Sequence, residues 1–235
     1  MGEHKIYYLD NRLDPQAQIC HYMPFDCFFR MLVSQKHYIS FKKNFRDLSE
    51  RKLPLKCQFK PRLIGEKLTE EEFREDYEKM QERNTLYEKL GQIPSDCWSL
   101  NSKEDYLMWR GYANGAGVCI QTSIDDYVDS LQITNLELYC LKMRYRLPSF
   151  TTTAEDCLAI KHPCFESERE VRFYFMSEDN YNGNSTGIDV EFDKAKMINT
   201  VILSPFMYKN VARELVDYLK TIHGLNAKVS SISLD

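Results

Sequence analysis

The stretch EREVRFYF, Glu168–Phe175, constrains this chain most. Apolar and polar side chains alternate in it with a period of two, and the apolar ones are β-branched or aromatic. That pattern predicts a strand with Val171, Phe173 and Phe175 on one face. The other face is a column of two acids, a base and a phenol: Glu168, Glu170, Arg172 and Tyr174. On a solvated face, Glu170 and Arg172 would form an ion pair worth under about 1 kcal/mol. The density of acids points elsewhere, because Glu166 precedes the column at the same spacing. Side-by-side carboxylates repel unless a cation, a metal or a substrate hydroxyl compensates them, and such strain collects at functional sites. The acids are therefore expected to line a pocket at the mouth of a core strand.

The rest of the chain supplies shorter elements. HKIYYL, the segment Tyr38–Phe41, CWSL, GAGVCIQT, LELYCLKMRY, GIDVEF, NTVILS and AKVSSISL read as strands. PFDCFFRMLVS reads as a helix burying Phe28, Met31 and Leu32. SKEDYLMWRGYA, capped by Ser102 and Asp105, and SIDDYVDSL read as short capped helices, and TAEDCLAIKH is helical in pattern. A long helix begins at Thr69, which forms a capping box with Glu72. It carries Phe73, Tyr77, Met80, Tyr87 and Leu90 at helical spacing, and Gly91 and Pro94 end it. The last helix is predicted from Pro205, as its first residue, to the Gly224 stop. Ser204 before it reads as a plain N-cap, with anion binding there the alternative. Strands and short helices mix without βαβ units. The expected fold is α+β: a single domain, residues 1–235, with one mixed, mostly antiparallel sheet and flanking helices. Residues 52–95, a Pro-interrupted basic loop followed by the amphipathic helix, read as an insertion.

A formal charge of −4 gives the whole molecule no field that draws nucleic acid. Basic residues concentrate locally, from Lys42 to Lys67, and a solvated arm or a phosphate-contacting surface are the two readings of that run. The eight cysteines include no CxxC pair, so a zinc knuckle is not expected. With no leader and no membrane-spanning run, they read as reduced thiols of a cytoplasmic protein. A second constellation lies in LMWRGYANGAGVCIQT, Leu107–Thr122. There Trp109, Arg110 and Tyr112 share a short helix ahead of a glycine turn and a strand. On spacing alone Trp109 belongs in the core. No GxGxxG or GxxxxGK pattern supports a dinucleotide or P-loop site.

LMWRGYANGAGVCIQTSIDD, HPCFESEREVRFYF and the tail from GIDVEF to SSISL resemble a bacterial family, the domain of unknown function numbered twenty-nine seventy-one. Its members carry an M-W-x-x-Y helix, a G-V-x-I-Q strand, an F-E-x-E-x-E-x-R segment and an I-x-[VL]-S-P strand. FFRMLVSQKHYISFKKNFRDLSE resembles the family's opening, with Phe45, Asp47 and Glu50 matching F-x-D-x-x-E. The resemblance covers most of the chain outside residues 52–95. Where members often place an arginine, this chain has Phe41 with Lys42 and Lys43 beside it. More remotely, E-R-E-V-R resembles the end of the catalytic loop of ADP-ribosyltransferases, which would make the fold a split sheet. That resemblance implies NAD as substrate, a nucleotide-like small molecule, and a protein or nucleic acid as acceptor. Cleaving the nicotinamide–ribose bond creates an oxocarbenium-like centre that a carboxylate stabilises. Glu170 would be that carboxylate and Glu168 would orient the acceptor. Tyr112 or Tyr8 would stack on nicotinamide, with Trp109 and Arg110 on the same helix as Tyr112. Arg46 or Lys42 would hold the pyrophosphate. A role as a toxin or phage-defence effector follows from how such bacterial proteins are used.

Two rivals remain. A metal-dependent nuclease or phosphoesterase would use Glu166, Glu168 and Glu170 with Asp189, Glu191 and Asp193. Only His162 lies near either acid group, no D…ExK order is legible, and a metal is not expected. A non-catalytic nucleotide- or protein-binding module would use the basic arm and the Thr69–Leu90 helix as its contact surface.

Overall fold

The computed structural model describes residues 6–45, 69–113, 115–133, 136–147, 158–177 and 185–233. The chain runs through β1 (Ile6–Leu9), β2 (Gln18–Pro24), α1 (Phe25–Ser34), β3 (Lys36–Ser40) and α2 (Glu70–Gly91). Then come β4 (Ser95–Ser99), α3 (Tyr106–Tyr112), β5 (Gly117–Ser123), α4 (Ile124–Ser130), β6 (Glu137–Lys142) and β7 (Arg144–Tyr145). The rest is β8 (Ile160–Lys161), β9 (Glu170–Met176), β10 (Gly187–Glu191), α5 (Lys194–Met197), β11 (Thr200–Leu203), α6 (Lys209–His223) and β12 (Ala227–Val229). Eight strands form one sheet in the order β1-β6-β9-β4-β2-β5-β11-β12. Its outermost pairs, β1 with β6 and β11 with β12, are parallel and the inner ones antiparallel. Two small sheets stand apart from it, β10 with β3 and β7 with β8. The fold is α+β, a mixed and mostly antiparallel sheet with helices on both faces.

Register explains why β9 lies well inside the sheet. Val171, Phe173 and Phe175 face the same way as Trp98, Cys140 and Leu138, their neighbours on β4 and β6. α1 brings Phe28, Met31 and Leu32 to this core, α4 brings Tyr127 and Val128, and α6 brings Ala212, Val216 and Leu219. Burying each large side chain contributes about 1.5–3 kcal/mol. The opposite face carries Cys20, Tyr22, Cys119 and Ile202, which α3 covers with Trp109 and Ala113. Gly117 is needed where α3 turns into β5. A Cβ there would stand 2.4 Å from the Met23 carbonyl oxygen and 2.6 Å from that of Ala113, both backbone. Gly117→Ala is expected to destabilise by about 2 kcal/mol through overpacking, read as a lower urea midpoint with an unchanged slope.

The Asp96 carboxylate lies inside the core. Asp96 Oδ2 accepts hydrogen bonds from His37 Nε2 (2.7 Å), Trp98 Nε1 (2.7 Å) and the Tyr127 hydroxyl (2.6 Å). Burial would raise its pKa, but the His37 and His21 rings and the Tyr127 hydroxyl outweigh that and hold it below the carboxylate range. This network ties the small β3–β10 sheet and α4 to the centre of the large one.

Several boundaries differ from the pattern-based expectation. The last helix starts at Lys209, not Pro205, because Pro205 and Phe206 form a turn in which the Ser204 hydroxyl accepts from the Phe206 N–H. The third strand begins at Lys36, two residues early, since the Gln35 backbone is left-handed (φ 54°) and ends α1 at once. Ile160 and Lys161, read as helix, form a strand with Arg144 and Tyr145. The capping box at Thr69 is present, with Glu72 N–H donating to Thr69 Oγ1 and Thr69 N–H to Glu72 Oε2. Leu90, near the end of α2, packs with Leu86, Ile93 and Leu158. Arg46 and the basic arm to Lys67 lie outside the described residues.

Candidate active site

Glu168 is not on the strand. Residues Pro163–Glu168 form a 3-10 turn, and Arg169 takes a left-handed backbone (φ 46°) before β9 begins at Glu170. Such a backbone costs a non-glycine residue about 1–2 kcal/mol. Two bonds hold it, from Ser99 Oγ to the Glu168 carbonyl (2.8 Å) and from Leu100 N–H to the Arg169 carbonyl (2.8 Å). The chain reversal brings the two glutamate side chains onto one lysine. Lys161 Nζ donates to Glu170 Oε2 (2.7 Å) and to Glu168 Oε2 (2.5 Å). Arg172, two residues along β9, donates from Nε to Glu170 Oε1 (2.6 Å). The Tyr112 hydroxyl, from the end of α3, donates to Glu168 Oε1 (2.6 Å). The Glu170 N–H donates to the Tyr145 hydroxyl (2.6 Å).

These groups form a chain of alternating charge that runs from the interior outward. Arg172 is 1% exposed and Glu170 4%, whereas Tyr112 at the other end is 44% exposed. The second face of β9 is therefore covered, and the alternative of a solvated Glu170–Arg172 pair does not hold. The Phe45 ring packs 4.9 Å from the Arg172 guanidinium carbon, and the Phe165 ring 4.9 Å from Lys161 Nζ. Both Glu170 carboxylate oxygens are engaged by its own cations, Oε2 by Lys161 and Oε1 by Arg172. A cavity of about 330 Å3 is lined by Leu13, Gln18, Leu100 and Asn101 among others, and none of the cluster's charged groups lines it.

Burial would raise the Glu170 pKa, but Arg172, Lys161 and the Cys97 thiol outweigh it and hold the value at about 2. Glu170 is therefore a permanent anion near neutral pH. Burial pushes the Tyr112 phenol up, and the Glu168 acceptor adds to that. Burial also pushes Tyr145 up to about 12. A carboxylate with a depressed folded-state pKa stabilises fully above its unfolded value. That contribution is lost as pH falls from about 4.5 toward about 2. For Glu170 the loss is on the order of 3 kcal/mol, and Asp96 adds to it in the same direction. Urea midpoints measured between pH 7 and pH 2.5 should be flat to about pH 5 and then drop steeply.

Of the residues picked out in the sequence, Glu168, Glu170 and Tyr112 converge. Trp109 does not: it is fully buried, edge-on to Tyr22 at 5.0 Å, and its Nε1 donates to Glu104, so it has no face to offer a ligand. Arg110 points to the Phe206 ring at 5.7 Å instead of the carboxylates. Tyr8 stacks on Tyr139 at 4.4 Å, two strands from β9 and in register with Tyr174 rather than Glu170. Lys42 is 5% exposed, in a 3-10 turn against α2, with its N–H bonded to the Ile93 carbonyl. The six acids of the metal reading do not assemble. Asp189 pairs with Arg30, Glu191 approaches Lys36 at 3.9 Å, and Asp193 caps α5. Sequence reasoning missed Lys161 and Tyr145. Neither has a local signal, because a two-residue strand is too short to show a period.

Among the described residues no helix is long and apolar enough to cross a membrane. No family model matches the chain, and no curated protein matches it either. Two solved structures of DarT from Thermus sp. 2.9 are similar over most of the length. The one in complex with ADP-ribosylated ssDNA is 11% identical, with 97% of this chain and 97% of that chain covered and a TM-score of 0.39. The one in complex with NAD+ is 9% identical, covering 92% and 96%, also with a TM-score of 0.39. Likenesses at that level carry no weight for the chemistry of this chain.

Proposed function

We propose that the chain transfers a glycosyl group from NAD, with Glu170 stabilising the oxocarbenium-like centre that forms as the nicotinamide–ribose bond breaks. The observation that carries this reading is the convergence of two carboxylates and an exposed phenol, Glu170, Glu168 and Tyr112, at one end of β9. A carboxylate that keeps its charge is suited to oppose a transient cation rather than to shuttle a proton. Glu168, less enclosed and bonded to Tyr112, is the group that orients the ribose or the acceptor. Of the two basic residues picked out for the pyrophosphate, Lys42 is buried, which leaves Arg46, outside the described residues, as the candidate. The chain would then be a member of family twenty-nine seventy-one with a transferase site, of the kind bacteria use as toxins and in phage defence.

The test is release of nicotinamide from NAD, followed by chromatography with and without single-stranded DNA as acceptor. Glu168→Gln should lower turnover about 100-fold while leaving the thermal midpoint within a few degrees, because Glu168 sits at the edge of the cluster. Wild-type protein with no turnover, or a Glu168→Gln variant as active as wild type, rejects the reading. One observation favours a second reading, a non-catalytic module: each charge of the cluster has an opposite-charge partner within the cluster. As a strut it would pin the β7–β8 sheet to β9, and Glu170→Gln would then change stability with no turnover to lose.

A further inference from the structure

Resting on the transferase reading, we infer that Lys161 is an internal stand-in for the substrate cation and gates access to the Glu168–Glu170 pair. Its ammonium lies where a positive centre would be most stabilised, on Oε2 of both carboxylates at once. The flanking groups are those that bind a flat cation. The Phe165 ring lies 4.9 Å from the ammonium, and the Tyr112 hydroxyl shares Glu168. Lys161 sits on a two-residue strand, and that strand pairs with another of two residues, outside the large sheet. That ladder is short, whereas Arg172, the other counter-ion of Glu170, belongs to the long strand β9 itself. The two cations therefore have different roles. Arg172 holds Glu170 ionised in every state, and Lys161 is the partner that yields.

A ligand that displaces Lys161 must bring its own positive charge, which selects a permanently charged N-alkylated heteroaromatic ring over its neutral counterpart. The Lys161→Met variant keeps the length of the side chain and removes its charge. It leaves Glu168 bonded to Tyr112 and Glu170 bonded to Arg172. The probes are 1-methylnicotinamide, which is cationic, and nicotinamide, which is neutral. By calorimetry Lys161→Met should bind 1-methylnicotinamide about 10-fold tighter than wild type or more, with nicotinamide unchanged and Lys161→Arg showing no gain. Equal affinity of Lys161→Met and wild type for the cation, or an equal gain for both probes, overturns the inference.

A second measurement needs no variant. In wild-type protein, reductive methylation of Lys161 followed by mass spectrometry should rise several-fold when 1-methylnicotinamide is present. An unchanged extent of labelling at saturating probe also overturns the inference. Neither readout involves turnover. Wild-type protein that releases nicotinamide while the cation probe discriminates nothing sinks the gate alone, and the converse pattern sinks the transferase alone.

Discussion

Glu170→Gln is expected to abolish nicotinamide release and to destabilise the fold by about 3–5 kcal/mol. The cluster is electrically balanced, with Lys161 and Arg172 facing Glu168 and Glu170. Removing one buried charge leaves an uncompensated cation in a covered site, and that penalty is what makes broken buried pairs costly. A strut and a catalytic group both predict the stability loss, so a second change must separate them. Adding Lys161→Met to Glu170→Gln restores neutrality and should recover about half of the lost stability or more, because well-packed neutral replacements of buried pairs are often nearly neutral. Turnover should stay absent in the double variant. Chemical denaturation and chromatography of the same two preparations make the comparison. A double variant that recovers turnover along with stability would show that Glu170 acts only as a strut.

Asp96→Ala should have the largest purely structural effect, also about 3–5 kcal/mol. The substitution removes one acceptor atom and leaves His37 Nε2, Trp98 Nε1 and the Tyr127 hydroxyl without it, all in the interior. Each orphaned donor costs about 1–3 kcal/mol, and a small cavity adds to the total. Tyr127→Phe takes away a single donor and keeps the ring against Phe173 at 4.4 Å, so it should cost about 1–2 kcal/mol. Asp96 and Glu170 lie on opposite faces of the sheet, with Cys97 next to Asp96 and in register with Arg172. The urea midpoint should fall for Asp96→Ala at pH 7 and lose much of its dependence on acid below about pH 4. A variant as acid-sensitive as wild type would show that Glu170 alone sets the acid limb.

The column Glu168–Tyr174 was only partly legible. Val171, Phe173 and Phe175 face the core as their alternation requires, since a strand has no other way to bury three such side chains. Glu168 broke the alternation because a left-handed Arg169 separates it from the strand, and nothing in E-R-E announces that turn. The covering of Glu170 and Arg172 came from Phe45, Tyr145 and Lys161, all distant in sequence from β9 or on strands of two residues. The same limit applies to α3. A seven-residue helix fixes which residues share it but not which way it faces, and here Trp109 went inward while Tyr112 reached Glu168.

Local pattern alone settled what depends on neighbours a few residues apart. This covers the α+β class, the capped helices at Thr69, Asp105 and Ser123, the inward face of β9 and the crowding of acids at its start. Periodicity and capping are short-range, so they can be read along the chain. Tertiary structure decided the rest: which side chains neutralise those acids, that Asp96 is the centre of a buried network, and that Trp109, Arg110 and Tyr8 stay away from the carboxylates. Those outcomes depend on strand order and on what covers each face. Contacts between segments far apart along the chain, such as Phe45 with Arg172, leave no trace in local spacing.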